Sequence, residues 1–102
     1  LEAPVTQLSN YSQTIGTTPV QIWPQFGSLS YSRLMNVSAS GGPTIWFSRY
    51  TSSPAANAPG CFPLQPGDFE EFGGGGGGIS PPLNALWVVA TAAGAALTAE
   101  AG

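Results

Sequence analysis

Two apolar, aromatic-rich runs, Leu29-Ser30-Tyr31-Ser32-Arg33-Leu34-Met35-Asn36-Val37 and Thr44-Ile45-Trp46-Phe47-Ser48-Arg49-Tyr50, flank the small linker Ser38-Ala39-Ser40-Gly41-Gly42-Pro43. Side chains alternate across an extended chain, so Tyr31, Arg33, Met35 and Val37 share one face of the first run. In the second run Ile45, Phe47 and Arg49 share a face, with Trp46 and Tyr50 opposite. The linker has the glycine-rich composition with which a chain reverses between strands. The stretch therefore predicts a β-hairpin at the heart of an all-β domain.

Upstream, Thr18-Pro19-Val20-Gln21-Ile22-Trp23 alternates, with Val20 and Ile22 on one face and Pro19, Gln21 and Trp23 on the other. That pattern predicts a strand, with proline near its start where a missing N–H is tolerated. Residues 1–17 are polar and lack a firm period, and we expect an extended N-terminal arm there, with the β domain proper at 18–102. Downstream, Thr51 to Gly60 is a loop by composition, and Cys61-Phe62-Pro63-Leu64 is a short edge strand because of Pro63. In Gln65-Pro66-Gly67-Asp68, proline presets φ at the second position and glycine supplies the positive φ of a type II turn at the third. Asp68 to Phe72 follows as a strand that brings Phe69 or Phe72 to the core. The six glycines Gly73 to Gly78 read as a flexible loop or as a close approach of two backbones at a symmetry axis. Asn84 to Thr91 is β-branched and aromatic on both faces, which suits a central strand. A turn at Ala92-Ala93-Gly94-Ala95 then predicts a hairpin into a last strand, Ala96 to Glu100, with Leu97 inward. Seven or eight short strands so spaced predict a single small β-sandwich or jelly-roll-like domain.

Composition narrows the function. Only 7% of the 102 residues are charged, with no Lys and no His, two cations (Arg33 and Arg49), five acids and a formal charge of −3. Gripping phosphates takes several Lys or Arg on one face, so nucleic acid and anionic membrane surfaces are not expected partners. The longest mostly apolar stretch, Leu83 to Leu97, is too short to cross a bilayer and is interrupted by Gly94. The start shows no basic segment followed by an apolar one, and its Leu1 suits upstream residues or a trimmed end. So little charge leaves the surface to small polar and aromatic residues and favours association, either as a subunit of an assembly or as an uncharged secreted domain.

Catalytic chemistry is hard to build from this inventory. Without His, Ser-His-Asp and Cys-His arrangements are excluded. Cys61 is the sole cysteine, so it has no disulfide partner in the chain and reads as a small apolar residue. Glu70 and Glu71 are adjacent and point to opposite faces of a strand, so they cannot form an acid–base dyad. Asp68 and Glu70 share a face beside a turn, the usual setting of solvated carboxylates. Only Asp68, Glu70 and Glu71 remain as oxygen ligands for a hard cation, and we expect no metal, no cofactor and no enzyme activity. A glycine-rich phosphate loop would need Lys and Ser/Thr after it, whereas Ile79-Ser80-Pro81-Pro82 follows. Each arginine should lie over the sheet with its head in water, or pair across a subunit contact with Glu2 or Glu100 of another copy.

The order of motifs resembles a known group. Arg33-Leu34-Met35-Asn36-Val37-Ser38 is followed by Thr44-Ile45-Trp46-Phe47-Ser48 and Leu64-Gln65-Pro66-Gly67-Asp68. Asn84-Ala85-Leu86-Trp87-Val88-Val89-Ala90 and a C-terminal Leu97-Thr98-Ala99-Glu100 complete the series. From Tyr31 to Glu100 this is similar to the small β-sandwich accessory proteins of tailed-bacteriophage structural gene clusters. The six-glycine run and the polar start depart from their pattern. The resemblance implies a virion protein without catalytic residues: a capsid decoration or cement subunit on the outer surface of the major capsid protein shell, a head fibre or a minor tail-associated subunit. With the low charge it leads us to expect a homo-oligomer, dimer and trimer both open, bound to the major capsid protein or other virion proteins. The expected contact residues are Leu1, Glu2, Val5 and Leu8 of the arm, Trp23 and Phe26 beside the core strands, and Arg33 and Arg49. The alternative from another class is a tail-fibre or host-attachment module whose exposed Trp and Tyr stack on surface glycan.

Overall fold

The computed structural model describes residues 7–73 and 80–102. Nine strands and no helix are found there: β1 Ser9–Asn10, β2 Gln13–Ile15, β3 Val20–Trp23, β4 Tyr31–Asn36, β5 Ile45–Ser48, β6 Phe62–Leu64, β7 Phe69–Gly73, β8 Leu86–Ala90 and β9 Ala95–Ala101. They form two antiparallel sheets. In the first, β1 and β2 pair in succession with β9, β9 pairs with β4, and β4 pairs with β7. The second runs β3-β8-β5-β6.

Period-two alternation builds the core. β9 turns Ala95, Leu97, Ala99 and Ala101 inward and leaves Ala96, Thr98 and Glu100 outside, while β4 buries Ser32, Leu34 and Asn36. From the second sheet Ile22, Ile45, Phe47, Leu64, Leu86, Val88 and Ala90 meet them in one buried cluster, a sandwich-like arrangement. Each fully buried Leu, Ile or Val contributes roughly 1.5–3 kcal/mol relative to exposure. The inner face of β9 is mostly alanine and that of its partner sheet mostly large, so small and large side chains oppose one another.

The strands expected from residue 18 onward are found, though Phe69 is 56% exposed and neither it nor Phe72 joins the core cluster; the pairing differs more. β4 and β5 do not form a hairpin: they lie in different sheets, and Ser38–Pro43 carries the chain across the sandwich. The linker still turns sharply, with Gly41 at φ +82° and the Gly42 N–H donating to the Ala39 carbonyl. Nor do β8 and β9 pair with each other; Thr91–Gly94, with Gly94 at φ +86°, is a second crossing. The Gln65–Asp68 turn has the expected positive φ, +94° at Gly67, and it too passes from one sheet to the other. Residues 9–15, expected in the arm, are sheet strands, and Ile15 is fully buried in the core. Trp23 was expected to face away from Ile22, but a register shift between Gln21 and Trp23 in the β3·β8 pair turns it inward. The run Gly74–Gly78 and residues 1–6 lie outside the described residues.

Asn36 explains how one end of the sandwich is closed. Its side chain is fully buried, and its Nδ2 donates to the carbonyls of Pro43 at 2.9 Å and Leu64 at 2.8 Å while its Oδ1 accepts from Ser38 N–H at 3.0 Å. Its backbone exchanges bonds with Asp68 and Gly67. One side chain thus ties together the β4–β5 and β6–β7 crossings. The Ser38 hydroxyl then accepts from Ala96 N–H, bringing in the β8–β9 crossing as well.

Candidate functional site

Of the expected contact residues, Leu1, Glu2 and Val5 lie outside the described residues. Leu8 is exposed at the margin of the first sheet, against Gly102. Trp23 is only 1% exposed and cannot be a surface contact. Its indole is held edge-on by Tyr11 at 5.6 Å between ring centroids, with Phe26 at 6.3 Å, so the three rings seal the core beneath β1 and β2. Phe26 is half-buried in the same cluster. Trp23 is thus taken up by the core, where it completes what the short polar strands β1 and β2 cannot supply alone, while Phe26 keeps part of its ring at the surface.

The two arginines lie on different surfaces. Arg49, just beyond β5, is turned between the sheets at the β6/β7 side, where its Nη1 lies 2.7 Å from Glu70 Oε1. That approach does not make a well-aligned hydrogen bond, so the contact is chiefly Coulombic. Its guanidinium also sits 5.4 Å from the Phe47 ring centre and 5.3 Å from that of Phe72, a cation between two aromatic faces. Among the described residues Arg49 Nε and Nη2 have no hydrogen-bond partner. Arg33 projects from the outer face of the first sheet, in register between Glu71 of β7 and Glu100 of β9, with its guanidinium 5.2 Å from the Phe69 ring centre. On that face the Tyr31 hydroxyl donates to Glu71 Oε2. This hydrogen bond to the carboxylate favours the neutral phenol and raises the Tyr31 pKa; desolvation and the charges of Glu71 and Glu100 act in the same direction, and Arg33 opposes them.

Two recesses stand out. The first, about 430 Å³, opens where the edge strands β6 and β7 of the two sheets come together. Phe47, Phe62, Leu64 and Phe69 supply its apolar wall, and Asp68 and Glu70 its polar one. Phe62 is 50% exposed and Phe69 56%, the largest exposed rings on either strand. The sequence reading missed Phe62 as a surface group; the available signal was Pro63, which marks an edge strand whose inward side is left uncovered.

The second recess, about 230 Å³, lies just beyond the C-terminal end of β5, among Gln25, Tyr50, Thr51, Ser52, Asn84 and Trp87, with Arg49 also in its lining. Ser48 Oγ, fully buried, accepts from the N–H groups of Tyr50 at 3.0 Å and Thr51 at 3.3 Å, which fixes the start of the loop. No family model, curated protein or solved structure matches this chain. Any reading of its surface therefore rests on these residues. Among the described residues no three His, Cys, Asp or Glu side chains gather into a metal-binding group. Glu70 and Glu71 point to opposite sides of β7, one toward Arg49 and the other toward Tyr31, as their adjacency requires.

Proposed function

We propose that this chain is a non-enzymatic structural subunit of a tailed-bacteriophage virion, a capsid decoration or cement protein that binds the outer surface of the major capsid protein shell and neighbouring copies of itself. The observation that carries the reading is the β6/β7 opening. Phe62 and Phe69 flank an apolar groove at an unpaired sheet edge, on a chain with almost no charge to keep protein surfaces apart. A modest contact of that kind becomes firm attachment when many copies engage one lattice. We read the strand order as a jelly roll. The pairs β5·β6, β4·β7, β3·β8 and β1/β2·β9 nest one inside the next, as in a single long hairpin rolled into two sheets. Viral capsid and lectin domains use that architecture, although architecture by itself assigns no activity.

Copy number tests the proposal. Particles of the phage that encodes the chain should carry it at a high, fixed ratio to the capsid protein, and Phe62→Ser with Phe69→Ser should release it without unfolding it. Absence from particles, together with a solitary monomer at high concentration, would overturn the reading. A second reading, a host-attachment module of a fibre or tail, is favoured by the Tyr50–Trp87 recess and requires only a few copies per particle.

A further inference from the structure

The recess at the long-loop end has features that the shell-binding reading does not use. The connection from Arg49 to Cys61 is far longer than the roughly 4–6 residues usual in compact domains, and loops of such length are commonly functional. It is also well anchored. Ser48 Oγ holds its first two N–H groups after Arg49, Thr51 Oγ1 accepts from Ser53 N–H at 3.1 Å, and Pro54 is buried. Asn84 Nδ2 donates to the Arg49 carbonyl at 3.2 Å, joining the loop to the segment before β8.

On this fixed frame the chemistry is mixed in a particular way. Tyr50 is 76% exposed, yet its ring lies beside Gly60, where an added Cβ would sit 3.5 Å from Cδ2. Trp87 stands half-buried on the outer face of β8, opposite Gln21 and Ser48. Around the two aromatics are amides and hydroxyls: Gln25, Thr51, Ser52 and Asn84. Among the described residues the side chains of Gln25 and Ser52 make no hydrogen bond, and Asn84 uses only its amide nitrogen, leaving the carbonyl oxygen to accept. Arg49, the one cation in the lining, is already engaged by Glu70, Phe47 and Phe72. No carboxylate lines the recess.

We infer that this recess binds a neutral sugar ring, with Tyr50 and Trp87 as stacking surfaces and Gln25, Ser52 and Asn84 as hydrogen-bonding groups for its hydroxyls. A pyranose has an apolar C–H face, which suits an aromatic ring, and a rim of hydroxyls that both donate and accept, which suits amide and hydroxyl side chains. The volume is below the range of drug-sized sites, about 300–1,000 Å³, and fits one ring. The one charge in the lining, Arg49, is already balanced by Glu70, which favours a neutral ring over acidic sugars and phosphate. The inference concerns the recess alone and holds wherever on a particle the chain resides.

Saturation-transfer NMR on the intact chain tests it, with the methyl glycosides of glucose, galactose, mannose and N-acetylglucosamine as probes and glucuronate and inorganic phosphate as charged comparators. At least one neutral glycoside should bind, with Kd of about 1 mM or weaker as expected for one ring on an open site. Affinity should fall at least tenfold in Tyr50→Ala and in Asn84→Ala, with the thermal midpoint of Tyr50→Ala unchanged because its ring is solvent-facing. Trp87→Phe, which keeps the sheet packed, should weaken binding less. No transfer to any neutral glycoside overturns the inference, as does transfer that survives Tyr50→Ala undiminished, or tighter binding of glucuronate or phosphate. Copy number per particle is unaffected by any of these results, so failure here is distinct from failure of the shell-binding proposal.

Discussion

The two ends of the sandwich are built to different standards of closure. At one end the crossings are short and bonded to one another: Thr44 N–H donates to Thr91 Oγ1, Thr44 Oγ1 pairs with Gln65 Oε1, Val37 N–H donates to the Ala96 carbonyl, and Asn36 ties two crossings from within. At the other end Pro24–Ser30 and Arg49–Cys61 are long, and among the described residues they are tied by Phe26 N–H to the Leu83 carbonyl, Ser30 N–H to the Gly102 carbonyl and Asn84 Nδ2 to the Arg49 carbonyl. The short-loop end uses its polar groups to hold the fold. At the long-loop end Gln25, Ser52 and Tyr50 keep theirs facing outward. The short-loop end is thus consistent with its fold at every level, while the long loops are where the proposed sugar recess lies.

The largest expected effect breaks the closed end. Asn36→Leu keeps the volume but leaves the carbonyls of Pro43 and Leu64 and the Ser38 N–H without their side-chain partner. At about 1–3 kcal/mol for each buried group left unsatisfied, partly relieved by relaxation of the turns, a loss of about 3 kcal/mol is expected. Against a total of about 5–15 kcal/mol for a small domain, the urea midpoint should fall markedly with little change in slope. A shift within experimental error would show that the crossings are held by their backbone bonds alone.

What could be read from the sequence, and what could not, divides along the same line. Alternation gave the inward faces of β5 and β9 because burial of one side is a local property, visible as Ile45 and Phe47 or as Leu97. On β4 it grouped Tyr31, Met35 and Val37, which prove to be the outer face, with Leu34 buried opposite. Turn residues marked where the chain reverses, and Gly67 has the positive φ expected of it. Whether a reversal returns in the same sheet or crosses to the facing one depends on partners distant in sequence, so Gly41-Gly42 and Gly94 looked like hairpins and are crossings. β1 and β2 were hidden because outward Ser, Gln and Thr give no apolar period; Ile15 alone carries the inward signal. Trp23 was misassigned because one register shift reverses a parity rule. At the surface, Arg33 and Arg49 were legible as the cations needing partners, whereas Phe62, Tyr50 and Asn84 became visible only when the edge and the long loop were placed.

A middle-sized effect belongs to the side opening between the ends. Glu70→Gln leaves Arg49, 10% exposed, without its counter-charge between two rings. Losing one partner of a fully buried pair costs about 3–5 kcal/mol, but Glu70 is 29% exposed and water screens the site, so about 1–2 kcal/mol is expected. Arg49→Met keeps an apolar stem between Phe47 and Phe72 and frees Glu70 to turn to solvent, so its cost should be smaller. Equal losses in the two variants, measured by denaturation, would mean that the aromatic contacts and not the charge hold this seam.

The smallest effect concerns Tyr31, the first residue of β4 at the long-loop end, and it is one of proton affinity. The neutral hydroxyl donates to Glu71; a phenolate could not, and it would face Glu71 and Glu100 as like charges, with Arg33 offsetting only part. The folded-state pKa therefore lies above the ordinary value of 10.0. Between the unfolded and folded values the unfolded chain holds fewer protons, so stability declines with pH there. The contribution is complete below pH 10.0 and is lost as pH rises through the folded value. A ¹³Cζ-tyrosine NMR titration should show the Tyr31 resonance titrating above that value, with Glu71→Gln moving it back down. Removing one charge while leaving an amide oxygen to accept separates the Coulombic share from the hydrogen bond. If Glu71→Gln leaves the Tyr31 titration where it was, the carboxylate charge plays no part, and the outer face of β4 and β7 is held by strand pairing alone.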